Sequence, residues 1–164
     1  MIQRIQTLFL LIAFIATTFL FFFPVASITE VTQVQSEALE TDYYELGVTG
    51  FIDPSPTSVP QLSNHTFIPL IIIVIMELIL IGFTIFRYKN RLHQLKLVKM
   101  GIFLNIILVA GIFLNYPKLF INSQIEIEPG TGAYFPLISL IFLVMAYRYI
   151  LKDEKLVKSV DRLR

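Results

Sequence analysis

A helix needs about 20 consecutive apolar residues to cross the hydrocarbon core of a bilayer, and this chain supplies that length four times. The stretches are Ile5–Pro24, Phe67–Phe86, Val98–Pro117 and Ala133–Leu151. Positive charge decides how they are threaded, because Lys/Arg bias in short loops sets orientation. With the N-terminus inside, twelve of the 13 Lys and Arg fall on the cytoplasmic side: Arg4, Arg87, Lys89, Arg91, Lys96, Lys99, Arg148, Lys152, Lys155, Lys158, Arg162 and Arg164. Only Lys118 is left outside. The expected fold is an all-α membrane protein, a four-transmembrane-helix bundle with both termini cytoplasmic.

Little chain remains for anything else. A mean hydropathy of +0.73 with 15% charged residues excludes a soluble globular domain and a disordered chain. Residues 1–164 form a single membrane domain with outer loops 25–66 and 118–132, an inner loop 87–97 and a cytoplasmic tail 152–164. No basic run interleaved with aromatics lies away from the spans, so nucleic acid is not an expected partner. Cysteine is absent, which removes disulfides, thiol redox chemistry and thiolate metal sites. The histidines, His65 and His93, fall on opposite sides of the membrane and cannot jointly hold a haem or metal. No cofactor is expected.

Smaller signals fit this threading. Tyr88, Tyr116, Tyr134, Tyr147 and Tyr149 sit at span ends, where amphipathic rings meet headgroups. Pro69 falls in a first helical turn, where its missing N–H costs nothing. Pro129-Gly130-Thr131-Gly132 forms a turn cluster before the fourth span. Arg4 followed by Val25-Ala26-Ser27 resembles a cleaved leader, but the apolar run Thr7–Phe23 exceeds the usual ~7–15 residues. Retention as an anchor is expected. Gly-Ile-Phe-Leu-Asn occurs at Gly101–Asn105 and again at Gly111–Asn115, yet ten residues leave the copies about 80° apart around a helix. They do not build one stripe.

The outer loops predict a small β-rich cap. Ser27–Gln35 and Tyr43–Ile52 are rich in β-branched and aromatic residues, and Ile125 and Ile127 alternate with Gln124, Glu126 and Glu128. An antiparallel sheet joining both loops is expected, with Asp53–Ser63 as an irregular return. The tail predicts a short amphipathic helix, with Leu156, Val160 and Leu163 on one face and Glu154 and Lys158 spaced as an i,i+4 pair. Such a helix can rest on an anionic leaflet.

Glu77 is the one ionisable residue deep within a span. Its insertion costs roughly 2.5–3.5 kcal/mol, so it should face protein and sit there largely neutral. Thr17, Thr18, Asn105 and Ser139 lie within about a turn of its depth, counted from the inner ends. Together they form a candidate intramembrane polar layer, as interhelical hydrogen bonds worth about 0.6–2 kcal/mol each or as a proton or cation site. One acid without a buried base or second carboxylate makes a poor relay, which favours the structural role. Lys152, Asp153, Glu154, Lys158, Asp161, Arg162 and Arg164 form a candidate cytoplasmic docking element. Asn64-His65-Thr66 fits a glycosylation acceptor, a weak tripeptide pattern. No nucleophile–base pair, phosphate loop or zinc motif is present.

Met1–Leu8, Tyr88–Arg91, the Pro129–Gly132 turn with Pro136, and above all the tail Lys152–Arg164 carry a resemblance. The chain resembles, along its length, an uncharacterised family of small four-span membrane proteins of the Bacteroidetes group, a domain of unknown function. Val160 departs from that pattern, which has alanine there, and Glu77 is not part of it. The resemblance implies an inner-membrane location and no known activity. The expectation is therefore a non-enzymatic accessory or scaffolding subunit of a membrane assembly, embedded in lipid beside a membrane-protein partner or a second copy. The rival reading is a small oligomeric proton- or cation-coupled transporter using Glu77.

Overall fold

The structure, a computed structural model, describes residues 3–33, 39–50, 52, 67–88, 90–115 and 125–161. It contains helices α1 (Gln3–Phe19), α2 (Ile68–Phe86), α3 (Arg91–Asn115) and α4 (Phe135–Asp161). Strands β1 (Ala26–Gln33), β2 (Leu39–Leu46) and β3 (Ile125–Pro129) accompany them, and a 3₁₀ turn at Thr131–Tyr134 leads into α4. Ile68–Phe86, Arg91–Leu114 and Thr131–Val157 are long and apolar enough to cross a membrane, while α1 is apolar over the shorter Ile5–Phe19.

The element ends differ from the apolar stretches for local reasons. α1 stops at Phe19, before the expected Pro24, but winding continues in a tighter form. Leu20, Phe21 and Phe22 donate their N–H groups to Thr17, Thr18 and Phe19 at 3.3, 3.1 and 3.0 Å. These are the i→i+3 bonds of a narrowed last turn. Pro24 ends it, having no N–H and disfavouring helical backbone at Phe23. α3 begins at Arg91 rather than Val98, so the inner connection shrinks to Arg87–Asn90. Asn90 Oδ1 accepts the His93 N–H at 3.4 Å, a long N-cap contact. Leu95 and Val98 give these first turns a buried side, while Lys96 and Lys99 remain exposed. The helical tail expected after the fourth span is present, as a direct continuation of α4 to Asp161.

Each helix packs against two neighbours, in the cyclic order α1, α2, α3, α4. On each helix one line of buried positions repeats by alternate steps of four and three. They are Gln6, Leu10, Ala13, Thr17 and Leu20; Leu70, Val74, Glu77, Ile81 and Thr84; Gln94, Val98, Gly101, Asn105, Leu108 and Ile112; and Ser139, Leu143, Ala146, Ile150 and Asp153. A mean period of 3.5 keeps one seam of each helix facing its neighbours under a left-handed supercoil. The outward faces carry Ile, Leu and Phe, among them Ile79, Phe103 and Ile141. Gly101 and Asn105 lie on the α3 seam and Gly111 does not, so the repeated pentapeptide serves no common face.

The expected cap is present, with strand order β2-β1-β3 and both pairings antiparallel. Ala26 opposes Leu46 on one side and Pro129 on the other, joining the two outer loops. β2 starts at Leu39, earlier than the expected Tyr43, because pairing with β1 runs on to Gln33↔Leu39. Ala26, Ile28 and Leu46 turn inward onto Leu20, Leu70, Leu108 and Ile112, capping the helix ends. The Asp53–Ser63 return, the Asn64-His65-Thr66 tripeptide and the outer tip 116–124 lie outside the described residues.

Pro129-Gly130-Thr131-Gly132 closes the cap by backbone contact. Gly130 N–H donates to Val25 O at 2.9 Å, and Gly132 N–H donates to Pro24 O at 2.7 Å. A Cβ at Gly130 would stand 2.4 Å from Pro24 O, and one at Gly132 would stand 2.7 Å from both Phe23 O and Pro24 O. Gly130 has φ −73° and ψ 169°, open to any residue. Its glycine is required by space, not by torsion.

Candidate functional site

The polar residues on the four seams meet in pairs. Midway along the helices, Asn105 Nδ2 on α3 donates to Glu77 Oε1 on α2 at 2.7 Å. Across the ring, the hydroxyls of Thr17 on α1 and Ser139 on α4 lie 3.0 Å apart. All four residues are fully buried. Thr17 Oγ1 donates to Ala13 O at 3.0 Å, which leaves the Ser139 hydroxyl to donate to Thr17 Oγ1. Thr18, the fifth residue of the expected layer, donates to Phe14 O at 2.8 Å within its own helix and reaches no neighbour. The polar layer is thus two cross-helix pairs plus a self-satisfied threonine.

A second set of polar contacts lies toward the end where the start of α1, the start of α3 and the far end of α4 converge. Gln6 Nε2 on α1 donates to Tyr149 O at 3.3 Å and lies 3.5 Å from Asp153 Oδ2, both on α4. Arg91 Nη1 on α3 stands 3.0 Å from the same carboxylate oxygen. This is an ion pair by proximity, since that N–H is not aligned on any acceptor. Gln94 Nε2 on α3 donates to Thr84 O on α2 at 3.3 Å. That carbonyl also receives the Arg87 N–H at 3.3 Å, while the Thr84 hydroxyl turns back to Leu80 O. Nearby, Lys99 Nζ lies 5.6 Å from the centre of the Tyr147 ring, linking α3 to α4.

Gln6, Thr84, Gln94 and Arg91 are the residues that sequence reasoning passed over. Arg91 read as a charge of the inner loop, and Gln6, Thr84 and Gln94 carry no charge to set them apart. The available signal was position, since Gln6, Thr84 and Gln94 share a seam with Thr17, Glu77 and Asn105.

Asp153 belongs to this internal contact and is 8% exposed, so the docking element loses it as an outward-facing residue. Lys152 is exposed and Glu154 half-buried on the continuation of α4. Lys158 and Asp161 lie in the last helical turn, their side chains outside the described set, and Arg162 and Arg164 lie outside the described residues.

Chemically, these contacts hold helices together. One middle pair joins the consecutive helices α2 and α3 and the other joins α1 to α4, and the end contacts tie α4 to α1 and α3, and α2 to α3. Among the described residues, no group of three or more His, Cys, Asp or Glu could hold a metal ion.

A family model described as a domain of unknown function (DUF4293) matches residues 2–163. Among curated proteins, none matches the chain. The chain belongs to the DUF4293 family.

Proposed function

We propose that this DUF4293 protein is a multi-pass protein of the bacterial inner membrane, with both termini cytoplasmic. It acts as a non-enzymatic accessory or scaffolding subunit, held by lipid and by a membrane-protein partner or a second copy. The observation that carries the reading is that each cross-helix polar residue at mid-depth is engaged by another, Glu77 by Asn105 and Thr17 by Ser139. Polar pairs in an apolar seam fix which helices meet and in what register, at a modest energetic gain.

Charge and geometry support the orientation. The α2–α3 connection and the approach of Gln6 to Asp153 gather the basic end of the ring, and the sheet lies at the other. α1 contributes a full buried seam, which supports its role as a fourth span despite its shorter helix. The extension of α4, with Lys152 exposed and Leu156 and Val157 about half exposed, is the surface offered to a cytoplasmic partner.

The transporter reading draws on one observation, the second Glu77 oxygen, Oε2, which has no hydrogen-bond partner. Against it stands the lack of a second acid or base in the same region of the seams.

Purification of the tagged full chain from its native membrane in mild detergent tests the proposal, beside a variant lacking Leu156–Arg164. A stoichiometric partner is expected with the full chain, and its loss with the truncated one, which should still insert. A solitary chain of unchanged native-gel mobility in both forms would sink the accessory reading. A stable Glu77→Gln variant without growth or transport function would favour the transporter.

A further inference from the structure

Two fully buried oxygens in the α2–α3 contact lack a donor, and they belong to one pair. Glu77 Oε2 and Asn105 Oδ1 have no hydrogen-bond partner, although Asn105 Nδ2 donates to the other Glu77 oxygen at 2.7 Å. Both residues are 0% exposed. An ionised carboxylate only accepts, and an amide oxygen only accepts, so neither orphan can satisfy the other in that state. A carboxylate there would also be a charge without a counter-charge in an apolar interior.

One hydrogen on Oε2 changes both atoms together. Oε2 becomes a donor, and Asn105 Oδ1 is the acceptor carried by the residue already bonded to Oε1. We propose that Glu77 and Asn105 form a proton-binding site, in which a single resident proton closes a two-hydrogen-bond acid–amide ring between α2 and α3. The bonds are Nδ2–H to Oε1 and Oε2–H to Oδ1. No covalent bond other than O–H is made.

The ligand is a proton rather than a metal cation because of the donor count. Hard cations take about six or more oxygens, and this pair offers three, one of them already accepting the Asn105 N–H. The proton is resident rather than relayed because the surrounding helices hold nothing to exchange it with. Across Gln6–Leu20 of α1 and its following turn, Ile68–Phe86 of α2, Met100–Asn115 of α3 and Phe135–Ala146 of α4, Glu77 is the only Asp, Glu, Lys, Arg or His. The inference deepens the reading of Glu77 as helix–helix glue. It does not depend on a partner protein, so the two can fail separately.

Infrared difference spectroscopy of the full chain in vesicles of phosphatidylethanolamine and phosphatidylglycerol at neutral pH tests it. Wild type minus Glu77→Gln should contain the C=O stretch of a hydrogen-bonded, protonated carboxyl that shifts down in D2O. In Asn105→Ala the band should move to the higher frequency of an unbonded acid. Glu77→Gln should retain its thermal stability within a few degrees, because an amide–amide pair restores both hydrogen bonds. Should that variant fail to insert, wild type labelled with carboxyl-13C glutamate gives the same reading, through an acid band that shifts with the label. A difference spectrum containing only carboxylate bands would overturn the proposal. So would an acid band that ignores Asn105→Ala, since the proton would then not bridge the pair.

Discussion

Gly130→Ala is the sharpest test of how the cap is built, because the backbone at Gly130 already suits alanine. At φ −73° and ψ 169° the substitution adds no torsional strain and reduces the entropy of the unfolded chain, an effect that alone would stabilise by about 0.4–1 kcal/mol. Against this stands a Cβ 2.4 Å from Pro24 O, 2.9 Å from Pro24 C and 3.1 Å from Ala26 N. These are backbone atoms, so no side-chain rotation relieves the contact. Restoring an ordinary separation moves the segment by about 1 Å, enough to stretch the Gly130-to-Val25 and Gly132-to-Pro24 hydrogen bonds beyond useful length. Each buried group left unsatisfied costs about 1–3 kcal/mol. The net expectation is a loss of about 2–5 kcal/mol, centred on the junction of β1, β3 and the entry to α4. Thermal unfolding of the purified protein in detergent should show a melting temperature lower by several degrees. Proteolysis should cut the outer segments first, with the helices still protected. A Gly130→Ala protein that melts at or above the wild-type temperature would refute the steric account and show that the seam yields cheaply.

Three further outcomes follow from the same geometry. A reporter active only outside the cytoplasm should work when fused after Asn64 or Ser123 and fail after Asn90 or Arg164; activity at Arg164 would mean an odd number of spans. Asp153→Ala and Arg91→Ala should each destabilise by about 1–2 kcal/mol, a partly exposed pair being discounted from the 3–5 of a fully buried one, with side-chain exposures of 26% for Arg91 and 11% for Asp153. The double variant should lose little more than either single one in detergent melting, and full additivity would show that the two do not interact. Ser139→Ala should cost about 0.6–2 kcal/mol by the same assay, and a neutral result would remove the Thr17–Ser139 contact from the forces joining α1 to α4.

Long-range order was legible where residue type and location spoke together. The centres of the four helices followed from apolar length, and a sheet uniting both outer loops followed from the alternation at Ile125 and Ile127. Boundaries were harder. β2 begins in Leu39-Glu-Thr-Asp42, where Glu40 and Asp42 have little strand preference, and is extended there by its register with β1. α3 begins in a segment whose charges resemble a loop, although Leu95 and Val98 keep a helical face within it. Asp153 looked like one charge of a solvated tail because its partner, Arg91, is 62 positions away in sequence.

The buried seams were hidden for a different reason. In a water-soluble helix, apolar residues mark the inside, but in α2 the buried Leu70, Val74 and Ile81 are chemically equivalent to the exposed Ile72, Ile75 and Ile79. Apolar contrast carries no information when both faces contact apolar matter. Polar residues carry it instead, since a hydrogen-bonding group facing lipid has no partner. Each helix has two on its seam, at residues 6 and 17, 77 and 84, 94 and 105, and 139 and 153, which are 11, 7, 11 and 14 positions apart. At 100° per residue each spacing returns to within about 40° of the same face. Two polar residues therefore define the inward line of each helix, and the apolar residues at intervening steps of three and four complete it. Thr18 breaks the spacing from Gln6 and, off the seam, has its own backbone as its hydrogen-bond partner.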